Sequence, residues 1–281
     1  MNEIREFLTS RRARITPEQA GLSAYGRRRR VTGLRREEVA MLAGISVEYY
    51  TQLERGNVRG VSEDVLEAVI RALQLDDIER THLFDLTRTA KQLPTPRPDR
   101  PLQVRPAVQR VLDTITDGAA FIRNPRADFL TGNRLAYALY ADAFTTLDRP
   151  VSLPRFVFLN PQSRIFYRKW EGLAAATVGS LRAEAARDPY DRDLTQLIGE
   201  LSMRSDEFRR MWATHDVTQY RSGTQYFHHD RVGNLDLDYE SFDLAGDIAQ
   251  TLVVYTAPPG SPSQAALDAL ARGIGDRADS R

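Results

Sequence analysis

The stretch "QLPTPRPDRPLQVRP", residues 92–106, contains five of the fourteen prolines of the chain. Proline has no amide hydrogen to donate and pushes the residue before it out of the helical conformation, so neither a helix nor a central strand continues through this stretch. At 281 residues the chain is long enough for two domains. We therefore predict a domain of residues 1–93, a stiff linker of residues 94–104, a second domain of residues 105–262 and a C-terminal helix or tail of residues 263–281.

Composition excludes several classes of protein. The chain has no cysteine, which removes disulfides, thiolate zinc sites and cysteine nucleophiles and is compatible with a reducing compartment. Residues 1–30 contain no run typical of a signal peptide, and no apolar stretch approaches the ~20 residues that cross a bilayer. We expect a soluble, cytoplasmic protein that has no contact with a membrane.

Positive charge is concentrated at the amino terminus. Residues 1–60 hold 12 arginines and 7 acidic residues, a net charge of +5, whereas residues 61–93 hold 4 basic and 7 acidic residues, a net charge of −3. The whole chain has a net charge of only +1. A local positive field of this kind is typical of a surface that meets phosphate groups.

The first domain has a helical pattern throughout. Helices are predicted over residues 3–13, 35–43 and 46–55, a fourth in "SEDVLEAVIRAL", and a fifth from Asp76 to Ala90. Ser62 precedes the fourth helix as its N-cap, with acidic residues in the first turn. Five short helices in about ninety residues predict a compact all-α bundle.

The segment "REEVAMLAGISVEYYTQLERG", residues 36–56, predicts two helices that cross closely. Ala40 is small enough for the next helix to approach, Gly44 allows the turn between them, and Ser46 caps the second helix. Helical periodicity places Tyr50 and Leu53 on the inner face, together with Val47. An ordinary helical hairpin has a similar pattern, but the local positive charge favours DNA binding.

This segment resembles the helix-turn-helix motif of the Xre family of bacterial repressors. The resemblance implies that the second helix enters the major groove of double-stranded DNA, as a homodimer on a partly symmetric operator. Gln52 is suited to adenine, Glu48 to the cytosine amine and Val47 to the thymine methyl group. We expect Arg55 to meet phosphate and Glu54 to pair with an arginine of the first helix. By position, the residues that read bases are Ser46, Val47, Glu48, Thr51 and Gln52.

One feature departs from that family. The helices that a tight turn usually joins are separated here by "ITPEQAGLSAYGRRRRVTGL", which carries Arg27, Arg28, Arg29 and Arg30. We predict a basic arm that binds phosphates or the minor groove, which would make DNA binding strongly salt-dependent. The alternative is a solvated loop without a partner.

The second domain has a different pattern. Two short strands, "AAFIRN" and "ADFLTG", are joined at Asn124-Pro125, helical patterns follow, and three strand-like runs close the chain, with a turn at Gly233-Asn234. This order predicts an α+β fold with helices on one side of an antiparallel sheet.

The same region resembles the ligand-binding domain of the MmyB-like transcription regulators. The stretches that carry the resemblance are "NRLAYALYADAF", "RFVFLNPQSRIFYRKWE", "RDPYDRDLTQLIGELSMRSDEFRRMWATHDV", "LDLDYESFDL" and "LVVYTAPPGSPS". What it implies is a PAS-like fold, in which an antiparallel sheet is covered by helices, and an apolar, fatty-acid-like small molecule as effector, with no other cofactor.

Aromatic residues are the candidates for the lining of such a ligand site. Aromatic side chains at helix or strand spacing are more often plain core, and that alternative applies to each of them. The candidates are Phe129, Tyr137, Tyr140, Phe144, Phe156, Trp170, Trp212, Phe227 and Tyr239.

Arg204 and His215 are candidates to bind an acidic head group of the ligand. The alternative is a structural role, through pairing with Asp206 or Asp216 or at helix ends. We expect no metal site at "HHD", residues 228–230, because adjacent strand residues point to opposite faces.

Catalytic motifs are not found in the sequence. It has no phosphate-binding glycine loop, no G-x-S-x-G elbow and no zinc-protease helix. We therefore predict a DNA-binding transcription regulator, a repressor that senses a small molecule, rather than an enzyme. The alternative is a regulator whose second domain serves dimerisation or partner binding and holds no ligand.

Overall fold

A computed structural model describes residues 3–22, 31, 33–58, 60–91, 103–146, 150–216, 221–245 and 250–278. The five helices predicted for the first domain are confirmed, and together they form an all-α bundle. They are α1 (Glu3–Arg14), α2 (Arg36–Ala43), α3 (Val47–Glu54), α4 (Glu63–Ala72) and α5 (Asp77–Lys91). Most of the predicted linker, residues 94–104, lies outside the described residues.

The turn between α2 and α3 has the predicted geometry. Gly44 has φ 67°, in the left-handed region that side chains disfavour, and ends α2. The Ser46 hydroxyl accepts a hydrogen bond of 3.0 Å from the Tyr49 amide and starts α3. Ala40 is completely buried where α2 packs against α3 and α4. The two helices therefore approach closely, as the small residue and the glycine predicted.

The rotation of α3 is set by its buried side chains. Tyr50 and Leu53 are fully buried in the core of the first domain, as predicted. The placement of Val47 on the same inner face was wrong, because Val47 is 41% exposed. By helical rotation Val47 lies on the same side as Tyr50 and Glu54, but it is the first residue of α3 and lies beyond the part of the helix that the core covers.

A buried carboxylate holds the end of α3 in place. Glu54 is 1% exposed, and its carboxylate accepts hydrogen bonds from Arg12 Nε at 2.9 Å and Arg36 Nε at 2.8 Å. Burial alone would raise the pKa of Glu54, but the hydrogen bonds and charges of the two arginines outweigh it and lower the pKa. The predicted pairing of Glu54 with an arginine of the first helix is confirmed.

The second domain alternates strands and helices. Its elements in the described residues are α6 (Pro106–Asp113), β1 (Ala119–Arg123), β2 (Asp128–Gly132), α7 (Arg134–Leu139), α8 (Ala141–Thr146), β3 (Val151–Ser152), α9 (Leu153–Leu159), α10 (Ser163–Phe166), α11 (Trp170–Arg187), α12 (Arg192–Arg204), α13 (Asp206–Trp212), β4 (Ser222–His229), β5 (Gly233–Asp243), β6 (Thr251–Thr256) and α14 (Pro262–Ala278).

The six strands form one antiparallel sheet in the order β3-β2-β1-β6-β5-β4. The prediction of an α+β fold is confirmed. The predicted turn at Gly233-Asn234 is displaced, because His229 already pairs with Gly233 and residues 230–232 form the turn. Strand β3 was not predicted, since two residues are too few to show a pattern.

Helices cover both faces of the sheet. Alternation along β1 directs Phe121 towards the large core under α7 to α10, whereas Ile122 packs on the other side with Leu112 of α6. The expectation of helices on one side only is corrected by α6. Helix α14 packs against α7 and β5, and its Leu267 and Leu270 complete the large core.

One edge of the sheet is partly covered by the chain itself. The helical pattern of residues 161–186 is interrupted at Tyr167, which forms an antiparallel bridge with Phe227 of β4. The Arg168 amide donates a hydrogen bond of 2.9 Å to the Tyr226 carbonyl. The segment between α10 and α11 therefore lies along the middle of β4.

The two domains share an apolar contact. Helix α11 packs against α5, and its Ala186 is buried in the core of the first domain. His82 of α5 is 4% exposed, and its ring meets the edge of Phe7 at 5.0 Å between centroids. Burial, and then the positive charges of Arg182 and Arg11, lower the pKa of His82 from 6.5 to about 3.

Replacing the buried carboxylate should destabilise the first domain. We expect Glu54→Ala to lower the free energy of unfolding by about 2 kcal/mol, because two arginines lose a charged hydrogen-bond acceptor. Denaturant unfolding measures this change. Glu48→Ala, on the exposed face of the same helix, is the matched control and should stay within about 0.5 kcal/mol of the unaltered protein. Equal effects of the two substitutions would contradict a stabilising role for Glu54.

His82 should make the stability depend on pH. The unfolded chain binds a proton on this ring below its ordinary pKa of 6.5, whereas the folded protein does so only near its pKa of about 3. The stabilisation is therefore full above the ordinary pKa of 6.5 and decreases as the pH falls towards the pKa of about 3 in the folded protein. At about pH 5 we expect this ring to lower the free energy of unfolding by about 2 kcal/mol. The unaltered protein should therefore lose about 2 kcal/mol more than His82→Asn when the pH falls from about 7.5 to about 5. Equal losses in both proteins would exclude His82 as the titrating group.

Candidate DNA interface and ligand cavity

The outer face of α3 is open to solvent. Its exposed residues include Tyr49, 38% exposed, which is not among the residues predicted to read bases. Thr51 is half-buried beside them. Of the residues predicted to meet DNA, Ser46, Val47, Glu48, Gln52 and Arg55 are exposed.

The charges around α3 suit an approach to phosphate. Glu54 is turned inward and neutralised by Arg12 and Arg36, so this carboxylate does not oppose the DNA backbone. Arg36 keeps 45% of its side chain exposed while it binds Glu54. The predicted arm, Arg27 to Arg30, lies outside the described residues, and its role stays a prediction.

A cavity lies in the second domain between the sheet and the helices above it. One wall is formed by β1 and β6, and the opposite wall by α9 and α11. About 530 Å³ of empty space lies within it, counted out to its opening to solvent. The lining residues are Phe121, Arg123, Ala127, Tyr140, Leu153, Pro154, Val157, Tyr167, Leu173, Ala176, Thr177, Ser180, Leu181, Val253 and Tyr255.

Three tyrosine hydroxyls form a polar cluster in the lining of the cavity. The hydroxyls of Tyr140 and Tyr255 are 3.1 Å apart, and Tyr167 also hydrogen-bonds to Tyr140. Burial raises the pKa of Tyr167 well above its ordinary value. Its phenol therefore stays protonated at neutral pH and keeps a hydrogen to donate.

Arg123 brings a positive charge to the cavity, and sequence reasoning missed it. It is the last residue of β1 and is half-buried. Phe121 faces the core, and strand alternation places Arg123, two residues later, on the same side. An arginine at an inward position of an otherwise apolar strand was the signal that would have identified it.

Both domains match known families. Residues 11–83 match a family described as a helix-turn-helix domain. Residues 104–270, more than half of the chain, match the family described as the MmyB-like transcription regulator ligand binding domain. This chain belongs to the MmyB-like transcription regulators. No curated protein matches it.

Membership accounts for the two parts of the molecule. The MmyB-like regulator is a DNA-binding transcription regulator with a domain that binds a small-molecule ligand. Both matched families are regulator domains and not enzymes. In the described residues, no helix is long and apolar enough to span a membrane.

Most aromatic residues predicted to line the pocket of this MmyB-like regulator lie elsewhere. Tyr140 lines the cavity, but Phe129 stacks on Phe121 at 4.8 Å, and Phe156 and Phe227 are fully buried. Large rings fill space, whereas the cavity is left open by small side chains such as Ala176 and Ser180. The other predicted aromatics are also outside the lining: Tyr137 and Phe144 pack against Phe129, Trp170 donates to the Val157 carbonyl, and Tyr239 packs beside Tyr255.

The predicted head-group residues are not at the cavity either. Arg204 lies on the surface of α12 and pairs with Glu200 at 2.7 Å. His215 and Trp212 lie at the junction of the domains, where both contact Arg182. The structural alternative therefore describes Arg204 and His215, although Asp206 and Asp216 are not their partners in the described contacts.

The histidine pair shows the expected alternation. His228 is exposed and hydrogen-bonds to Asn234, whereas His229 is buried and lies 3.1 Å from the Ala138 carbonyl. The two rings point to opposite faces of β4. Among the described residues, no cluster of metal-binding side chains was found.

The exposed face of α3 predicts a specific effect of Gln52. In DNA selected by this protein from random oligonucleotides, we expect Gln52→Ala to lose discrimination at one base position by about tenfold to hundredfold, with binding to random DNA unchanged. Fluorescence anisotropy measures both affinities. Gln196→Ala, an exposed glutamine on α12, is the matched control. Equal losses on selected and random DNA would remove Gln52 from base recognition.

Proposed function

We propose that this MmyB-like regulator is a homodimeric repressor whose second domain binds an apolar, fatty-acid-like molecule in the cavity between β1, β6 and α11. The observation that carries the proposal is the combination of apolar lining with Arg123 and the tyrosine hydroxyls. An apolar chain would lie against Leu153, Val157 and Leu173, and its acidic group would meet Arg123.

DNA binding would use two copies of α3. A helix-turn-helix dimer places its two recognition helices about one turn of DNA apart, which matches a partly symmetric operator. Within each copy, Gln52 and Glu48 would read bases, and Arg55 with Arg27, Arg28, Arg29 and Arg30 would hold phosphates. The net charge of +5 in residues 1–60 supports contact between this part of the chain and the phosphates of DNA.

Repression is the simplest regulatory outcome for such a protein. A dimer that occupies its operator blocks access to the DNA by its presence alone, whereas activation also requires a surface that contacts the transcription machinery. A ligand then changes transcription only if it binds the two states of the protein with different affinity.

The cavity is tested by filling it. Ala176 faces the cavity, while Ala175, its neighbour in α11, is exposed. We expect Ala176→Phe to weaken the binding of dodecanoic acid at least about tenfold, because the added ring occupies the ligand's space, and Ala175→Phe to leave it unchanged. Titration calorimetry and the ligand-induced shift in Tm measure the effect.

Arg123 is tested by changing the ligand. Dodecanol has the same chain as dodecanoic acid but no charge, so the unaltered protein should prefer the acid and Arg123→Gln should lose that preference.

Equal binding of dodecanoic acid to the Ala176→Phe and Ala175→Phe variants would place the ligand elsewhere. No shift in Tm with any apolar acid, together with native mass spectrometry of a dimer without bound small molecule, would favour a second domain that only dimerises or binds a partner.

A further inference from the structure

Helix α11 touches both the cavity and the DNA-binding domain. Leu173, Thr177 and Leu181 line the cavity. At the other end, Ala186 is buried in the core of the first domain, and its carbonyl accepts a hydrogen bond of 3.0 Å from the Thr89 hydroxyl of α5. At 18 residues the helix is about 27 Å long. A displacement of its cavity side therefore reaches the first domain directly.

The residue after Leu181 begins a chain of polar contacts. Arg182 is 6% exposed, and its guanidinium lies 4.2 Å from the centre of the Trp212 ring. It also hydrogen-bonds to the Trp212 carbonyl, and its Nη1 lies 3.0 Å from Nδ1 of His215. His215 has φ 57°, a left-handed conformation that is uncommon for a residue with a side chain. Arg182 thus fixes α11 to the turn that follows α13.

The turn that follows α13 is also bound by α1. Arg11, 2% exposed, donates a hydrogen bond of 2.6 Å to the His215 carbonyl and pairs with Glu79 of α5 at 2.7 Å. Arg14 pairs with Asp216. The first helix of the DNA-binding domain is therefore held by side chains and backbone of the second domain.

The next residue of α1 leads to the recognition helix. Arg12 turns away from Arg11 by the helical rotation of about 100° and binds Glu54 at the end of α3. Arg11 and Arg12 are neighbours in α1. Arg11 contacts the second domain, and Arg12 contacts α3, the helix predicted to read DNA. The path consists of buried or half-buried contacts from Leu181 to Glu54.

The cavity walls differ in how they can move. Strand β1 is hydrogen-bonded to β2 and β6, and β6 to β1 and β5, so the sheet wall is held by backbone bonds on both sides. The α11 wall is held by side-chain packing, by Arg182 and by the hydrogen bond from Thr89 to the Ala186 carbonyl. A ligand that fills the cavity presses on both of its walls, and α11 yields more easily than the sheet.

We propose that ligand entry displaces α11 and that Arg182, through the 212–216 turn and α1, transmits the displacement to α3 and changes DNA affinity. This inference rests on the proposed function of the cavity. Coupling of this kind is reciprocal, so DNA changes the affinity for ligand by the same factor as ligand changes the affinity for DNA.

The test measures the ratio of DNA affinities with and without saturating dodecanoic acid, on the selected DNA. We expect a ratio of at least about fivefold in the unaltered protein. In Arg182→Gln the ratio should fall towards one, while dodecanoic acid binding and the DNA affinity without acid stay within about threefold. Arg187→Gln, on the same helix but paired with Glu184 within it, is the matched control and should keep the full ratio.

A second pair of variants keeps the test valid if Arg182→Gln does not fold. Asp216→Asn weakens the half-exposed pair with Arg14, whereas Asp206→Asn affects only the exposed pair with Arg209. We expect the first to reduce the ratio and the second to leave it unchanged. A full ratio in the folded Arg182→Gln variant, or in Asp216→Asn, would overturn the route through α11. Absence of any effect of ligand in the unaltered protein would overturn the proposed function itself.

Discussion

The pairing of β1 with β6 determines the architecture of the second domain. Phe121 and Val253 lie side by side although about half of the chain separates them. Because these strands occupy the centre of the sheet, β2 and β3 extend it on one side and β5 and β4 on the other. The helices between β3 and β4 must then return over one face, and the cavity forms where they meet the two central strands. The position of the cavity therefore follows from one long-range strand pairing.

In the first domain, the orientation of the short helix α3 depends on a few buried side chains. An eight-residue helix such as α3 buries few side chains, and Tyr50 and Leu53 are the apolar ones among them. The Glu54 carboxylate adds a fixed point, because Arg12 and Arg36 approach it from two other helices. A buried charge of this kind is costly unless it is fully paired, so its value lies in the geometry that the pairing imposes. The exposed face of α3 is thereby held in one orientation.

Local patterns in the sequence were sufficient for the five helices of the first domain and for five of the six strands described in the second. Gly44, Ser46 and Ser62 each have the role that their residue type predicted, because caps and turns depend on neighbours in the chain. The cavity was not predictable in the same way. Large aromatic side chains such as those of Phe129 and Phe227 fill space, but a cavity exists where side chains fail to fill space, which depends on how distant elements meet. Arg123 was within reach of strand alternation, whereas Arg182 and His215 meet only in three dimensions.

The edges of the sheet limit how two copies can associate. A long free edge strand invites the strand of a second molecule, and such pairing commonly leads to aggregation. Here β3 has only two residues, and the middle of β4 is occupied by the backbone of Tyr167 and Arg168. An incoming strand would find no continuous row of amides and carbonyls at either edge. Continuous sheets across two subunits are therefore disfavoured, so the proposed dimer would form through side-chain surfaces, which would keep the geometry between its two copies of α3 adjustable.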